Sequence, residues 1–252
     1  MNYVESTSND NSIKGIDALL IAVVGFLAGY LFANIYVLIE LTVVNAPSSA
    51  SPSNSLGALL ASLLGLWTGL FAAVIYASKK KGSGSLRVDF GLRKIQLQDP
   101  LIGIPVGIFG QLVLIPLLYF PFERLVTNLA QRLNKPAQRI TSLGHGGGAI
   151  LLIVFLVIGA PFIEELYFRG LLLGSLKHRF NRWSDSVSSF LAAIVSALLF
   201  GLAHAEPIQL LGLAAFGLVL AGLRLKFGRL APGMFAHSTF NAVTVVALMK
   251  IH

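Results

Sequence analysis

The chain has 252 residues, 55% of them hydrophobic and 12% charged, with a mean hydropathy of +0.77. An ordinary soluble domain carries roughly 25% charged residues, and a soluble fold with so little polar surface would expose aggregating apolar patches, so that class is excluded. The net charge of +8 falls in short segments between apolar runs, where Lys and Arg orient a chain against a membrane. No zinc finger, RNA-recognition signature or separate basic domain points to nucleic acid. The absence of cysteine removes disulfides, Cys-ligated zinc and a thiol nucleophile.

Crossing the hydrocarbon layer takes roughly 20 apolar residues of helix, because the backbone must satisfy its own hydrogen bonds there. Seven stretches qualify or nearly so: 18–39, continuing past Glu40 to Val44; 56–77; 101–122, with Pro105, Pro116 and Pro121 as kinks or stops; 149–176, which carries an acidic–basic cluster; 187–204; 208–223, after a break at Pro207; and 231–249. The expected fold is all-α, a polytopic transmembrane helical bundle of about seven spans, six to eight being compatible with the pattern. The first apolar run is too long for a signal peptide. Residues 1–16 read as a tail, 17–140 as the first group of membrane helices with their loops, and 141–252 as a core of four membrane helices.

The connections differ in character. Residues 45–55 form an uncharged Ser/Pro/Asn loop. Residues 78–100 open on SKKKGSGS, and 86–97 mix apolar with basic side chains as a membrane-surface segment would. Phe122, Leu125, Leu129 and Leu133 recur at helical spacing and predict a short amphipathic helix over 122–133. Lys79, Lys80, Lys81, Arg87, Arg93 and Lys94 belong on the cytoplasmic side by the positive-inside rule. Alternation then sends 177–182 and 226–229 there too, with the N-terminus inside and the C-terminus outside. One loop, with Arg124, Arg132, Lys135 and Arg139, dissents. The expected location is a bacterial-type cell membrane, with the lipid bilayer as a partner.

Ionisable side chains at membrane depth cost about 2.5–3.5 kcal/mol each on insertion scales, so those present call for an explanation. In 160–170, APFIEELYFRG, Glu165 and Arg169 lie four apart and share a helix face, where they can pair. Glu164 is rotated about 100° away, which leaves it a carboxylate free for general acid–base work. In 200–204, FGLAH, Phe200 can buttress His204. In 237–241, HSTFN, His237 and Asn241 project side by side and can hold an oxyanion. His145, His178, His252, Glu40 and Glu206 sit in loops or at span ends and read as solvated.

The ordered set Glu164-Glu165-Leu-Tyr-Phe-Arg169, Phe200-Gly-Leu-Ala-His204 and His237-Ser-Thr-Phe-Asn241 resembles the CPBP intramembrane proteases, also called the CAAX protease and bacteriocin-processing (Abi) family. The resemblance covers residues 149–250. It implies an endopeptidase acting on a peptide or protein substrate within or at the membrane. Glu164 with His204 would activate water, Glu165 and Arg169 would order the helix and cavity, and His237 with Asn241 would stabilise the oxyanion. No cofactor is required by this scheme; zinc on Glu164, His204 and His237 is the alternative. Straight helices would spread these residues in depth, so the site needs tilted, long or broken helices, with Pro161, Pro207 and Pro232 as breakpoints. A non-catalytic membrane immunity or scaffold protein, and a proton- or cation-coupled transporter, are the competing functions.

Overall fold

The structure, a computed structural model, describes residues 16–43, 55–144 and 146–249. Helix α1 spans Ile16–Val43 and α2 Leu56–Lys81. The continuous helical run Gln98–Phe122 is α3, Leu129–Thr141 is α4 and the run Gly147–Arg179 is α5. Asp185–Ala203 forms α6, Leu210–Phe227 forms α7 and Ala231–Met249 forms α8. A single helical turn, Leu86–Asp89, stands between α2 and α3, and no strand occurs among the described residues. Among those residues, α1, α2, α3, α5, α6 and α7 are long and apolar enough to cross a membrane. The 19-residue α8 carries His237, Ser238, Thr239 and Asn241 in its interior, which lowers its apolar character. It packs against α3 and α5 inside the bundle. The expected polytopic helical bundle is what the chain forms.

Two local expectations shift. The short amphipathic helix forms at Leu129–Thr141, not over 122–133. Pro121 lies in a 3₁₀ turn, Phe120–Phe122, and Asn128 takes a left-handed φ of 56° just before the helix starts, so the chain bends before Leu129 can continue the earlier periodicity. Span 149–176 lengthens to 33 residues, because the Lys177–His178–Arg179 turn finishes the helix with basic groups at its C-terminus, where the macrodipole favours them.

The chain alternates between two ends of the bundle. At one end Lys81 pairs with Asp17, Lys177 with Asp185 at 2.9 Å and Arg229 with Asp99 at 2.8 Å, while Leu230 N donates to Gly91 O at 3.1 Å. At the other end Tyr119 Oη donates to Ile208 O at 2.7 Å and Gln209 Nε2 to Leu133 O at 2.7 Å. Three of the four basic segments thus meet at the first end, and α4 lies at the second.

The α1–α2 contact is the most extensive in the bundle. Gly25 and Gly29 of α1 and Gly65 and Gly69 of α2 form two GxxxG patterns; Gly69 lies against Gly29, Gly25 against Ala73 and Gly65 against Ala33, which lets the backbones touch. A Cβ at Gly69 would collide with the Gly29 backbone, and one at Gly65 with the Ala33 backbone. Overpacking a close contact costs about 1–3 kcal/mol. Gly69→Val therefore lowers the thermal unfolding midpoint of the detergent-solubilised protein. Gly222→Ala, where an added Cβ meets nothing within 4 Å, leaves that midpoint unchanged or slightly raised.

Candidate active site

Helix α5 is not regular. It changes from α to π geometry over Val154–Gly159, returns to α over Ala160–Glu164, and turns π again over Glu165–Leu172. Each π segment leaves carbonyls that other side chains take up, a feature frequent at functional sites. Ser196 Oγ donates to Phe168 O at 3.1 Å, and Asn241 Nδ2 donates to Leu156 O at 2.9 Å.

Behind the site, Arg169 Nη1 donates to Glu165 Oε1 at 2.9 Å and Arg169 Nη2 to Gly217 O of α7 at 3.1 Å. The guanidinium lies 4.2 Å from the Phe200 ring centroid, a cation–π contact. Two glycines make room for this pair. A Cβ at Gly217 would stand 3.2 Å from Arg169 Nη2, and one at Gly233 would stand 2.9 Å from Glu165 Oε2.

Glu165 Oε1 also meets His237 Nδ1 at 3.2 Å. A carboxylate paired with arginine only accepts, so His237 Nδ1 carries a hydrogen and Nε2 points onward. That Nε2 lies 3.8 Å from Glu164 Oε2. His204 caps the end of α6, with Nδ1 at 2.8 Å from Phe200 O. A carbonyl likewise only accepts, so His204 Nδ1 is an N–H and its Nε2 faces Glu164 Oε2 at 3.9 Å. Phe200 stands edge-on to both imidazoles, at 4.7 Å from His204 and 5.5 Å from His237.

The side chains form a gradient from dry to wet. Relative exposure is 0% for Arg169, 1% for Glu165, 4% for His237, 16% for Glu164 and 31% for His204. Glu164, His204, His237 and Asn241 all line one cavity of about 420 Å³, walled by apolar residues that include Leu66, Phe168, Phe216 and Phe240. Four of the six expected site residues thus converge on the cavity, and Glu165 with Arg169 braces it from behind. The depth difficulty disappears because α5 is long. Its 33 residues span about 50 Å at 1.5 Å per residue, well beyond a hydrocarbon core of roughly 30 Å, so Glu164 near its middle meets the end of α6.

Two cavity residues carry no expectation of a role. Glu206, read from sequence as solvated, is half-buried and lines the cavity. Gln111 lines it from α3; the signal was a carboxamide inside an uncharged span. Glu40 is half-buried with Ser55 Oγ 3.5 Å from its Oε1, and His178 is half-buried at the end of α5. His145 and His252 lie outside the described residues.

Glu164, His204 and His237 are the candidate zinc donors. Among the described residues no group of three or more His, Asp or Glu side chains is arranged to hold a metal ion. The Nδ1 atoms of both imidazoles are already turned to Phe200 O and Glu165, and the two Nε2 atoms converge on one carboxylate oxygen.

Residues 146–243 match the family described as Type II CAAX prenyl endopeptidase Rce1-like, and the matched segment holds all six site residues. The matched segment is similar to that family over the same stretch that carries the three motifs. Over 101 residues the chain is 31% identical to "Putative membrane peptidase YdiL" of Bacillus subtilis (strain 168), covering 40% of this chain and 38% of that protein. No solved structure matches.

The buried ion pair gives a stability test. Removing one partner of such a pair costs about 3–5 kcal/mol, while replacing both with apolar residues is often near neutral. Arg169→Leu is therefore expected to lower the unfolding midpoint steeply, and the double variant Glu165→Leu/Arg169→Leu to recover much of the loss. Thermal unfolding of the two proteins in the same detergent measures the difference.

Proposed function

We propose that the chain is an intramembrane endopeptidase that uses Glu164 as general base. The observation that carries this reading is Glu164 Oε2. It is buried without a hydrogen-bond partner, it faces two imidazole Nε2 atoms at 3.8 and 3.9 Å, and it borders a cavity large enough for a peptide segment. Those gaps are too long for direct hydrogen bonds and invite a bridging water. Such a water donates one hydrogen to Glu164 Oε2 and the other to the unprotonated Nε2 of His204.

In the reaction, Glu164 takes a proton from this water as its oxygen attacks the scissile carbonyl carbon. The carbonyl becomes an oxyanion. His237 Nε2–H and the second N–H of Asn241 stabilise it, the first Asn241 N–H being held by Leu156 O. For this His237 carries a proton on each nitrogen, an imidazolium between Glu165 and Glu164. Two carboxylates then balance two cations, His237 and Arg169. Collapse of the intermediate breaks the C–N bond, and the Glu164 carboxyl returns its proton to the leaving amine. General acid–base catalysis of this type contributes about 10²–10⁴-fold, and oxyanion stabilisation a further 10²–10³-fold per donor.

Several features support a substrate held at the membrane. The cavity wall is mainly apolar, and the matched family's description names a prenyl endopeptidase. The gathering of three basic segments at one end of the bundle supports an N-terminus on the cytoplasmic side of a cell membrane. The site then opens near the opposite end, beside α4.

In purified protein, cleavage of internally quenched peptides with an apolar half is expected to fall at least 10²-fold in Glu164→Gln and in His204→Ala, with both variants eluting as the wild-type species on size exclusion. A chelator in excess is expected to leave the wild-type rate unchanged. Retained cleavage in Glu164→Gln overturns the assignment of the base. Loss of cleavage on chelation, restored by zinc, overturns the side-chain-only mechanism.

A further inference from the structure

Gln111 lies outside the three motifs and outside residues 146–243. It projects from the π segment Gly110–Leu114 of α3 into the cavity that holds Glu164, His204 and His237. Its Oε1 is buried without a hydrogen-bond partner, and among the described residues nothing bonds the carboxamide. An unpaired carboxamide in a membrane bundle carries an uncompensated desolvation cost, and a functional ligand is the usual reason one persists there.

Its position next to the reaction centre is fixed by packing. Gly110 presses on two rings, with its would-be Cβ 2.7 Å from Phe216 Cε2 and 3.3 Å from Phe240 Cδ2. Those rings stack on each other at 4.0 Å, and Phe216 stands 6.2 Å from the His237 ring. Gln111 shares its face of α3 with Ile115 and Tyr119, spaced four residues apart, and all three line the cavity.

We infer that Gln111 binds the main chain of the peptide substrate, its carboxamide pairing with one backbone amide beside the scissile bond. This rests on the peptidase reading and adds a residue that grips substrate without touching the reacting atoms. The chemistry is matched: a carboxamide offers N–H donors and a carbonyl acceptor in one plane, and a peptide unit offers the complementary carbonyl and N–H. Apolar walls on the cavity leave the extended substrate few other polar partners. Such a contact reads any sequence and selects for an extended, unpaired backbone. An intramembrane protease needs that selection, since a helical substrate has its amides already bonded.

The test uses full-length protein in detergent, internally quenched peptides with an apolar half, and a set of the same peptides N-methylated at one amide at a time. Gln111→Leu is expected to raise KM about tenfold with kcat little changed, and to raise the unfolding midpoint because an orphan polar group is gone. The decisive readout is the cycle between variant and peptide. One N-methyl peptide loses about tenfold in wild type and nothing further in Gln111→Leu. Gln111→Met serves the same purpose should the leucine variant fold poorly. Equal N-methylation penalties in wild type and variant, or unchanged KM, overturn the assignment to Gln111. A wild-type protein that cuts none of these peptides overturns the peptidase reading instead.

Discussion

Arg169 and Glu165 meet at 2.9 Å where neither side chain reaches water. Charges taken out of water lose several kcal/mol of solvation each, and their attraction repays this only when geometry and remaining hydrogen bonds are good. The surrounding architecture answers that demand. Helix α7 supplies Gly217 O, α6 supplies the Phe200 ring, and α8 supplies His237 to the same carboxylate oxygen. Four helices are thereby fixed at one point inside the bundle. The same contact turns His237 Nε2 outward to Glu164, so the element that stabilises the bundle also sets the orientation of a cavity imidazole.

A regular helix already rotates Glu164 about 100° from Glu165 and keeps Arg169 on the Glu165 face. What the π segments of α5 add is carbonyls freed from the regular helical ladder. The carbonyls displaced by widening are not wasted, since Ser196 and Asn241 take them up. Helix α3 widens at Gly110–Leu114 in the same stratum, so all three widened segments border the cavity.

Much of this was legible in the sequence, because charge in an apolar run is rare and its spacing is informative. The Glu165–Arg169 spacing announced their pairing, and the rotation of Glu164 announced its separation from that pair. What composition concealed was geometry that depends on other helices. Nothing in VFLVIG at 154–159 distinguishes π from α, since the choice is made by partners such as Asn241. The amphipathic helix moved to Leu129–Thr141 because Asn128 takes a left-handed conformation, which a residue tolerant of both conformations does not declare in advance. The GxxxG pairs of α1 and α2 were visible but silent until the facing backbones were known. Gln111 gave no reading in the sequence, because its significance lies in a cavity assembled from both halves of the chain.

The dissenting basic loop finds its explanation in α4. Leu133, Ala137 and Ile140 lie on the face that lines the cavity, and Gln209 ties Leu133 O to the start of α7. Arg132, Lys135 and Arg139 occupy the exposed side. Their spacing of three and four residues is that of one helix face, which an amphipathic helix packed over a greasy opening must fill with polar groups. The same three side chains border a second recess with Val37, Ala58 and Glu206, so α4 holds them against the end of the bundle and not in a free connecting loop. The positive-inside rule counts charge in short loops that follow the membrane potential, and a helix docked on the bundle is a different object. Setting α4 aside on this ground leaves the remaining three basic segments in agreement, and all three meet at the far end of the bundle from Glu206 and His204.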